Sequence, residues 1–390
     1  MQFPDLAPIA EKIETQQRLD FDDGLVLFRH PDLSAVGALA NRVRERLHGD
    51  RTYFVRNRHI NYTNFCDKTC LFCAFQRSVD SGPDYGGYTL SMDQVRSRLE
   101  GPGRDALREV HIVGGVNPNI SYDYYLELVR TVRATCPDVH IKAFTMVEID
   151  EMARVSGKSH REVLLDLKAA GLDAMPGGGA EVFSKRVHRK LFHDKIDAEG
   201  WLSIAREAHG LGIRSNATML YGHIETLEER VDHLIRLREL QDETGGIQAF
   251  IPLTFHPDNT PMRKLRKPTA AEDLRVLAVS RLLLDNVPHI KAYWIMISAE
   301  VAQVALSFGA DDVDGTVVEE HIYHDAGAET PDEMTVRQLV KLIVEAGREP
   351  IERDALYRTL HTDFDDLLEF VPGPTRRAVW VEGAAAESPS

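Results

Sequence analysis

Three cysteines stand close together in the segment NYTNFCDKTCLFCAF, at Cys66, Cys70 and Cys73. Their C-x3-C-x2-C spacing indicates a metal site, because thiolates are soft ligands that suit iron-sulfur clusters. Such a cluster usually takes four thiolates, so three cysteines leave one iron without a protein ligand. The spacing therefore predicts a cluster with an open iron to which a substrate can bind.

Two other uses of the cysteines are compatible with the spacing, a structural zinc knuckle and a set of redox thiols. A zinc knuckle needs a fourth ligand nearby, yet Asp67 would be a poor one and the nearest histidine, His59, lies at the start of the strand before the cysteines. Four cysteines in 390 residues are too few for a disulfide scaffold. The fourth, Cys136, stands alone and is predicted to be an ordinary semi-buried cysteine.

Glycines follow two of the predicted strands. HIVGGVNP contains Gly114 and Gly115, and MPGGGAEVF contains three glycines before Glu181. Glycine lets a ligand approach the backbone closely, although a tight turn explains a glycine pair equally well. A carboxylate such as Glu181 can also simply complement a helix dipole.

Polar side chains alternate along the predicted strand RSNATMLY. The alternation places Arg214, Asn216 and Thr218 on one face. If that face points into a barrel, the three polar groups need a ligand or one another. Asn216 and Thr218 are therefore predicted to line the site.

Lys142, Arg214 and His256 are the predicted catalytic residues. Each lies on a predicted strand or just after one, and their cationic groups could together hold a substrate that carries carboxylates. A single histidine is more often structural than catalytic, so His256 is singled out by its position after a strand.

The elements that must position these residues form an alternating pattern of short apolar runs and longer amphipathic stretches. This pattern is typical of repeated βα units and a parallel sheet. The predicted strands are 59–64, 108–115, 139–145, 172–177, 213–220, 247–253 and 289–296, with a weaker eighth at 314–318. About eight such units predict an α/β fold, a closed (βα)8 barrel of the TIM type whose strand-end loops meet on one face.

The barrel is expected to span residues 51–318, with helical flanks on both sides. Residues 1–50 form the predicted N-terminal helical flank. Residues 319–372 form the predicted C-terminal helical cap, with helices in TPDEMTVRQLVKLIVEAG and PIERDALYRTL, and residues 373–390 are predicted to be a disordered tail.

The charge balance excludes some classes of partner. With 46 basic and 61 acidic residues, the formal charge of −15 repels phosphate backbones and anionic lipids. The chain contains no apolar run long enough to cross a bilayer, and its first residues lack the features of a signal peptide. We therefore expect a cytoplasmic protein that binds neither nucleic acid nor membrane.

The cysteine spacing after the first barrel strand resembles that of the radical S-adenosylmethionine superfamily. The resemblance implies that Cys66, Cys70 and Cys73 hold a 4Fe-4S cluster whose open iron binds S-adenosylmethionine. It also implies that Phe72 lies near the adenine and that Gly114 and Gly115 bind the methionine amino group. In the same way Glu181 is implied to contact the ribose or the sulfonium, and an external one-electron reductant such as flavodoxin or ferredoxin is required.

A larger set of strings is similar to the aminofutalosine synthases of menaquinone biosynthesis. They include KAFTMVEI, GLDAMPGGGAEVF, QAFIPLTFHPDNT, PHIKAYW and GTVVEEHIYHDAGA. The resemblance implies that S-adenosylmethionine is a co-substrate whose 5′-deoxyadenosyl radical adds to an aromatic carboxylate, 3-[(1-carboxyvinyl)oxy]benzoate. It also suggests that the segment 314–328 caps the barrel mouth. Some strings also occur in two sister families, so dehypoxanthine futalosine cyclase is the alternative enzyme, and a non-catalytic iron-sulfur protein is the alternative from another class.

Overall fold

The computed structural model describes residues 5–81, 85–101 and 103–368. The strands are β1 (Arg51–Val55), β2 (Asn57–Ile60), β3 (Glu109–Ile112), β4 (His140–Ala143), β5 (Ala174–Met175), β6 (Arg214–Tyr221), β7 (Ile247–Thr254), β8 (His289–Ile290), β9 (Asp312–Gly315), β10 (Glu349–Arg353) and β11 (Thr359–His361). Each of the eight predicted strands overlaps an observed one.

The helices alternate with these strands through most of the chain. They are α1 (Ala7–Glu14), α2 (Phe21–Arg29), α3 (Leu33–His48), α4 (Met92–Leu99), α5 (Tyr122–Thr135), α6 (Met146–Ser156), α7 (His160–Ala170), α8 (Lys185–Leu191), α9 (Ala198–Gly210), α10 (Leu227–Thr244), α11 (Ala270–Leu283), α12 (Trp294–Ile297), α13 (Ala299–Ala305), α14 (Ile322–Asp325), α15 (Val336–Glu345) and α16 (Asp365–Leu368). The predicted N-terminal flank is helical, since α1, α2 and α3 precede the first strand.

The main sheet contains β2 to β8 in sequence order, and all neighbouring strands are parallel. The helices between the strands bury apolar faces against it, as in α9, where Trp201, Leu202 and Ala205 are buried. Parallel strands joined by helices place all the strand-end loops on one face. The predicted α/β barrel class is confirmed by this sheet.

The segment around β9 joins the two edges of the main sheet. Lys291 after β8 forms a parallel bridge with Asp312, and Arg58 of β2 forms one with Val318. Backbone hydrogen bonds accompany both bridges, from Ala292 N to Asp312 O and from His59 N to Val318 O, each 2.8 Å long. The predicted eighth strand therefore lies between β8 and β2, where the barrel closes. It pairs with them only through isolated bridges and not through a continuous strand ladder.

A second sheet has the order β11, β10, β1, β9. β1 pairs in parallel with β10 on one side and with β9 on the other. The helix predicted for PIERDALYRTL is wrong, because residues 349–353 form β10 and residues 359–361 form β11. The apolar pattern of so short a segment fits a helix and a strand equally well, and pairing with the distant β1 decides the outcome.

The predicted seventh strand is also too long, since residues 294–297 form α12. The predicted tail, residues 373–390, lies outside the described residues.

Candidate active site

A cavity of about 290 Å³ opens at the carboxyl ends of the barrel strands. All but one of the predicted site residues line it. They are Cys66, Phe72, Cys70, Cys73, Gly114, Gly115, Lys142, Glu181, Asn216, Thr218 and His256.

The exception is Arg214, which is exposed and begins β6 at the end opposite the cavity. Asn216 and Thr218 lie further along the same strand and are buried in the cavity wall. Strand alternation assigns Arg214 to the correct face but does not say which end of the strand reaches the cavity. The prediction that Arg214 binds a ligand in this cavity is therefore wrong.

The cysteine loop follows β2 and is held by backbone hydrogen bonds. Cys66 N donates to Arg77 O over 2.9 Å, and Cys73 N donates to Cys70 O over 3.1 Å. Val116 N lies 3.2 Å from Cys66 Sγ and donates to it. A backbone N–H directed at sulfur stabilises a thiolate ligand.

Burial raises the pKa of the Cys66 thiol to about 11, and it raises the pKa values of Cys70 and Cys73 as well. Thiols in this environment ionise readily only when a bound metal compensates the charge. All three are free, without disulfide partners. Their chemistry thus fits a metal cluster.

The spacing of the sulfurs argues against a single metal ion. Tetrahedral zinc holds its thiolates at about 2.3 Å, which places the sulfurs about 3.8 Å apart. In the described part of the chain, three ligand atoms lying within 4.8 Å of one another occur at His48, His289 and Asp311 and not at the three cysteines. A larger, multi-iron cluster is the group that this cysteine set fits.

Gly114 and Gly115 pack against the loop that carries the cysteines. A Cβ atom at Gly115 would lie 2.2 Å from Phe65 O, and one at Gly114 would lie 2.7 Å from the ring of Tyr62. Both contacts are too short for any side chain. Packing alone therefore requires glycine at both positions, whether or not a ligand contacts their backbone.

Glu181 is paired with a lysine that the sequence did not indicate. Lys195 Nζ lies 2.5 Å from Glu181 Oε1, and it also lies 5.6 Å from the ring centre of Phe72. Burial disfavours the charged form of Lys195, but the Glu181 carboxylate outweighs it and raises the pKa of Lys195. The ammonium therefore stays charged beside the cysteine loop.

Glu148 connects the start of α6 to the glycine loop. It forms a capping box with Thr145, and its Oε1 accepts hydrogen bonds from Tyr62 Oη at 2.9 Å and from Gly114 N at 3.1 Å. Burial raises the pKa of Glu148 to about 7 despite these donors. The carboxylate fixes the position of Gly114 relative to α6.

The floor of the cavity is a buried polar layer. Lys142 Nζ lies 2.7 Å from Glu109 Oε2, and Lys291 Nζ lies 2.8 Å from Asp314 Oδ1. Burial favours the neutral form of Glu109, but the Lys142 ammonium holds its pKa well below the usual range. The ammonium groups that line the floor are thus already paired with carboxylates.

Two stacked histidines complete the floor. The rings of His59 and His111 lie 4.5 Å apart and are nearly parallel, at 10°. Burial lowers the pKa of both. His59 Nε2 is buried and has no hydrogen-bond partner among the described residues, so it is available to a ligand in the cavity.

His256 lies higher in the wall, with Nε2 at 2.8 Å from Met296 O. Nε2–H donates a hydrogen bond to this carbonyl, which leaves Nδ1 as the unprotonated atom of the neutral ring. Burial lowers the pKa of His256 and favours this neutral form. Nδ1 is buried and forms no hydrogen bond by distance and angle within the described segments, although the backbone of Gly327 lies close enough to the ring to raise its pKa.

The segment 314–328 reaches the cavity, as the sequence suggested. Glu320, Ile322, Tyr323 and Ala326 line it. The ring of Tyr323 packs edge-on against that of Tyr293, 5.7 Å away. Its role as a lid stays a prediction.

Sequence reasoning gave no site role to Lys195, His59, His111, Glu109 or Asp314. Each is defined by a contact with a residue far away in the chain, such as the pairing of Glu109 with Lys142. His59 and His111 could have been paired from the sequence only by aligning the two predicted strands that contain them, on which they lie in register.

Comparison with known proteins gives two family matches. Residues 60–237 match the "Radical SAM superfamily", and residues 244–364 match the "CofH/MqnC C-terminal region".

In the described part of the chain, no helix combines the length and the apolar character needed to cross a membrane.

Three curated relatives extend over most of the chain. The aminodeoxyfutalosine synthase of Thermus thermophilus is 52% identical over 91% of this chain and 96% of its own length. The aminodeoxyfutalosine synthase of Streptomyces coelicolor is 41% identical, covering 95% and 96%. The cyclic dehypoxanthine futalosine synthase of Halalkalibacterium halodurans is 35% identical, covering 92% and 95%.

A solved structure shares the fold. Methylornithine synthase superposes with a TM-score of 0.69 at 19% identity, covering 88% of this chain and 97% of its own.

Proposed function

Because the chain belongs to the aminodeoxyfutalosine synthase family of the radical S-adenosylmethionine enzymes, we propose that it transfers the 5′-deoxyadenosyl group to 3-[(1-carboxyvinyl)oxy]benzoate. The observation that carries the proposal is the 52% identity over 91% of the chain. Enzymes of this superfamily use a 4Fe-4S cluster and S-adenosylmethionine.

The proposed net reaction is balanced without an oxidant or reductant. The aromatic substrate, S-adenosylmethionine and one water give aminodeoxyfutalosine, methionine, bicarbonate and one proton. When bound, the reduced cluster supplies the electron that cleaves S-adenosylmethionine to methionine and a 5′-deoxyadenosyl radical. An external carrier such as flavodoxin or ferredoxin supplies that electron at the start.

We propose that the upper part of the cavity holds the cluster and the co-substrate. Cys66, Cys70 and Cys73 ligate the cluster, and their burial and free thiols support this assignment. Phe72 provides a flat apolar surface for the adenine. Glu181 hydrogen-bonds the co-substrate. Lys195 holds the Glu181 carboxylate in place, because Lys195 Nζ lies 2.5 Å from Glu181 Oε1.

The co-substrate also contacts the strand ends around the glycine loop. Gly114 and Gly115 offer backbone atoms without side chains, and Glu148 holds the first of them in place. Asn216 and Thr218 face the same space from β6. Thr218 Oγ1 donates to Gly177 O over 2.8 Å, which aligns the neighbouring loop.

The aromatic substrate binds deeper, where the charged floor can receive its two carboxylates. Lys142 and Lys291 line this part of the cavity. Each ammonium group has three N–H donors. It can therefore bind a carboxylate of the substrate and remain paired with Glu109, in the case of Lys142, or with Asp314, in the case of Lys291. His59 Nε2 is a further buried atom without a partner among the described residues, so it is available to hydrogen-bond the substrate.

His256 is the proposed acceptor for the water that the reaction consumes. Its neutral ring keeps a proton on Nε2, which donates to Met296 O, so Nδ1 can accept a hydrogen bond or a proton. The apolar lining from β7, including Ile251 and Leu253, keeps other water away from a radical in the cavity.

We also infer that the protein works in the cytoplasm. Its four cysteines are free, and the reducing cytoplasm keeps thiols in this state.

The test is an anaerobic reaction of the reconstituted protein with dithionite, the aromatic substrate and S-adenosylmethionine labelled with carbon-13 in its ribose. We expect mass spectrometry to find the labelled carbons in aminodeoxyfutalosine, with one methionine released per product. A Cys70→Ala variant is the matched negative control. A parallel reaction contains dehypoxanthine futalosine in place of the aromatic substrate. Its consumption, with the label recovered only in free 5′-deoxyadenosine, would instead identify the cyclase reaction.

A further inference from the structure

A basic segment interrupts this acidic chain at residues 184–195. SKRVHRKLFHDK contains five lysines or arginines and one aspartate, whereas the whole chain has a formal charge of −15. Most of the segment forms α8 (Lys185–Leu191), which buries Val187 and Leu191. The charges are therefore concentrated on the outer side of a short helix.

This helix is bonded directly to the cysteine loop. Leu71 N, next to Cys70, donates to Leu191 O over 3.0 Å. The backbone N and the hydroxyl of Thr69 donate to Asp194 Oδ2 over 2.7 and 2.8 Å. The basic segment and the loop that would hold the cluster thus share one surface.

Three of the five cations on this surface have no acidic partner. Arg186 is paired with Glu229 at 2.6 Å, and Lys195 is paired with Glu181. Lys185, Arg189 and Lys190 are exposed and form no ion pair with another described residue. Beside them, the side chain of Leu71 is 39% exposed.

We propose that Leu71, Lys185, Arg189 and Lys190 form a docking face for an acidic one-electron carrier protein of the flavodoxin class. The inference rests on the proposed function, which requires such a carrier. The unpaired cations attract an acidic protein, because complementary charges speed the encounter of two proteins and orient them. The exposed apolar residue beside them lets the partner pack closely against the cysteine loop. Docking here transfers one electron from the carrier to the cluster, and no bond is made or broken.

A polyanion such as nucleic acid is a poorer occupant. Its long phosphate backbone would extend beyond this short helix onto a chain whose other residues carry a large negative charge. A compact protein with a local acidic patch fits the size of the face.

The experiment measures the binding of oxidised flavodoxin to the cluster-loaded protein by calorimetry, at low and at physiological salt. The variant is Lys185→Glu, Arg189→Glu and Lys190→Glu combined. The matched control reverses three exposed cations that form no ion pair with another described residue and do not line the cavity, Arg130, Arg161 and Lys264. We expect the docking-face variant to raise Kd by about 10- to 100-fold at low salt and to lose most of the salt dependence.

A second measurement follows reduction of the cluster by its loss of visible absorbance. Reduction by flavodoxin hydroquinone should slow in the docking-face variant, whereas reduction by dithionite should proceed as in the unmodified protein. Turnover is a poorer measure, because the net reaction consumes no electrons. Neither measurement requires the aromatic substrate, so both remain valid if the proposed substrate is wrong.

Unchanged flavodoxin affinity in the variant would overturn the proposal, and so would an equal loss in the control. If the triple reversal fails to fold, the glutamine variants of the same three residues provide the test, with a smaller rise in Kd expected. Unchanged carrier binding together with lost binding to heparin would assign the face to a polyanion and also overturn the proposal.

Discussion

Replacing Lys142 with methionine should destabilise the barrel by about 3 to 5 kcal/mol. The ammonium lies 2.7 Å from Glu109 Oε2, and both side chains are almost completely withdrawn from solvent. Methionine has nearly the same length but no charge, so the variant leaves Glu109 buried without its principal partner. The cost is the penalty for an uncompensated buried carboxylate.

The expected change in melting temperature follows from the size of the chain. Unfolding entropy is about 2.1 cal/mol/K per residue, so 390 residues give about 0.8 kcal/mol/K. A loss of about 4 kcal/mol then lowers the melting temperature by about 5 °C. Scanning calorimetry of the anaerobic, cluster-loaded protein measures this shift.

The double variant Glu109→Gln with Lys142→Met is the matched control. It removes both charges, so it should recover most of the lost stability. If Lys142 also binds a substrate carboxylate, the double variant stays folded but retains a raised KM. A Lys142→Met protein that melts within 1 °C of the unmodified protein would refute the reasoning about the buried pair.

Three further outcomes are expected. Gly115→Ala should reduce the iron content after reconstitution to less than about half, because the new Cβ would lie 2.2 Å from Phe65 O and displace the cysteine loop. Gly210→Ala is the control, and it should leave the iron content unchanged because a Cβ at Gly210 has no heavy atom within 4 Å to contact. Since burial raises the pKa of Glu148 from 4.5 to about 7, the folded state binds the proton more tightly, and stability should fall as pH rises from 4.5 to 7. Relative to the unmodified protein, Glu148→Gln should therefore gain about 2.5 kcal/mol between pH 5 and pH 8 in denaturant titrations, and parallel curves would contradict the assignment. Arg214→Ala should change kcat/KM by less than about twofold, and a large loss would restore Arg214 to the site.

The fold was predictable because it depends on periodic, local patterns. Short apolar runs alternating with amphipathic helices identified every strand of the barrel, and the cysteine spacing indicated a loop that lies in the wall of the cavity. The error at residues 349–353 has a different origin. That segment forms a strand only because β1, about 300 residues earlier in the chain, provides an edge to pair with.

The site was predictable only in part. Residues at the carboxyl ends of strands, such as Gly115 and Thr218, could be placed because a parallel barrel collects those ends on one face. The partners of the charged residues could not, because Lys195 reaches Glu181 across a loop and a helix. Arg214 was misplaced because alternation gives the face of a residue and not its height along the barrel.

The charges of the cavity bear on how a substrate with two carboxylates can enter it. Lys142, Lys291 and Lys195 are each paired with a carboxylate, so the fixed charges of the cavity largely cancel before any ligand binds. This pairing offsets part of the desolvation penalty of three buried ammonium groups. Two further negative charges would leave the cavity with an excess of anions. The groups that can restore balance are those that burial now keeps neutral, above all the stacked pair His59 and His111, since a neighbouring anion raises the pKa of an imidazole. The floor of the cavity therefore combines fixed cations, which position the carboxylates, with neutral histidines, which can take up the protons that binding requires.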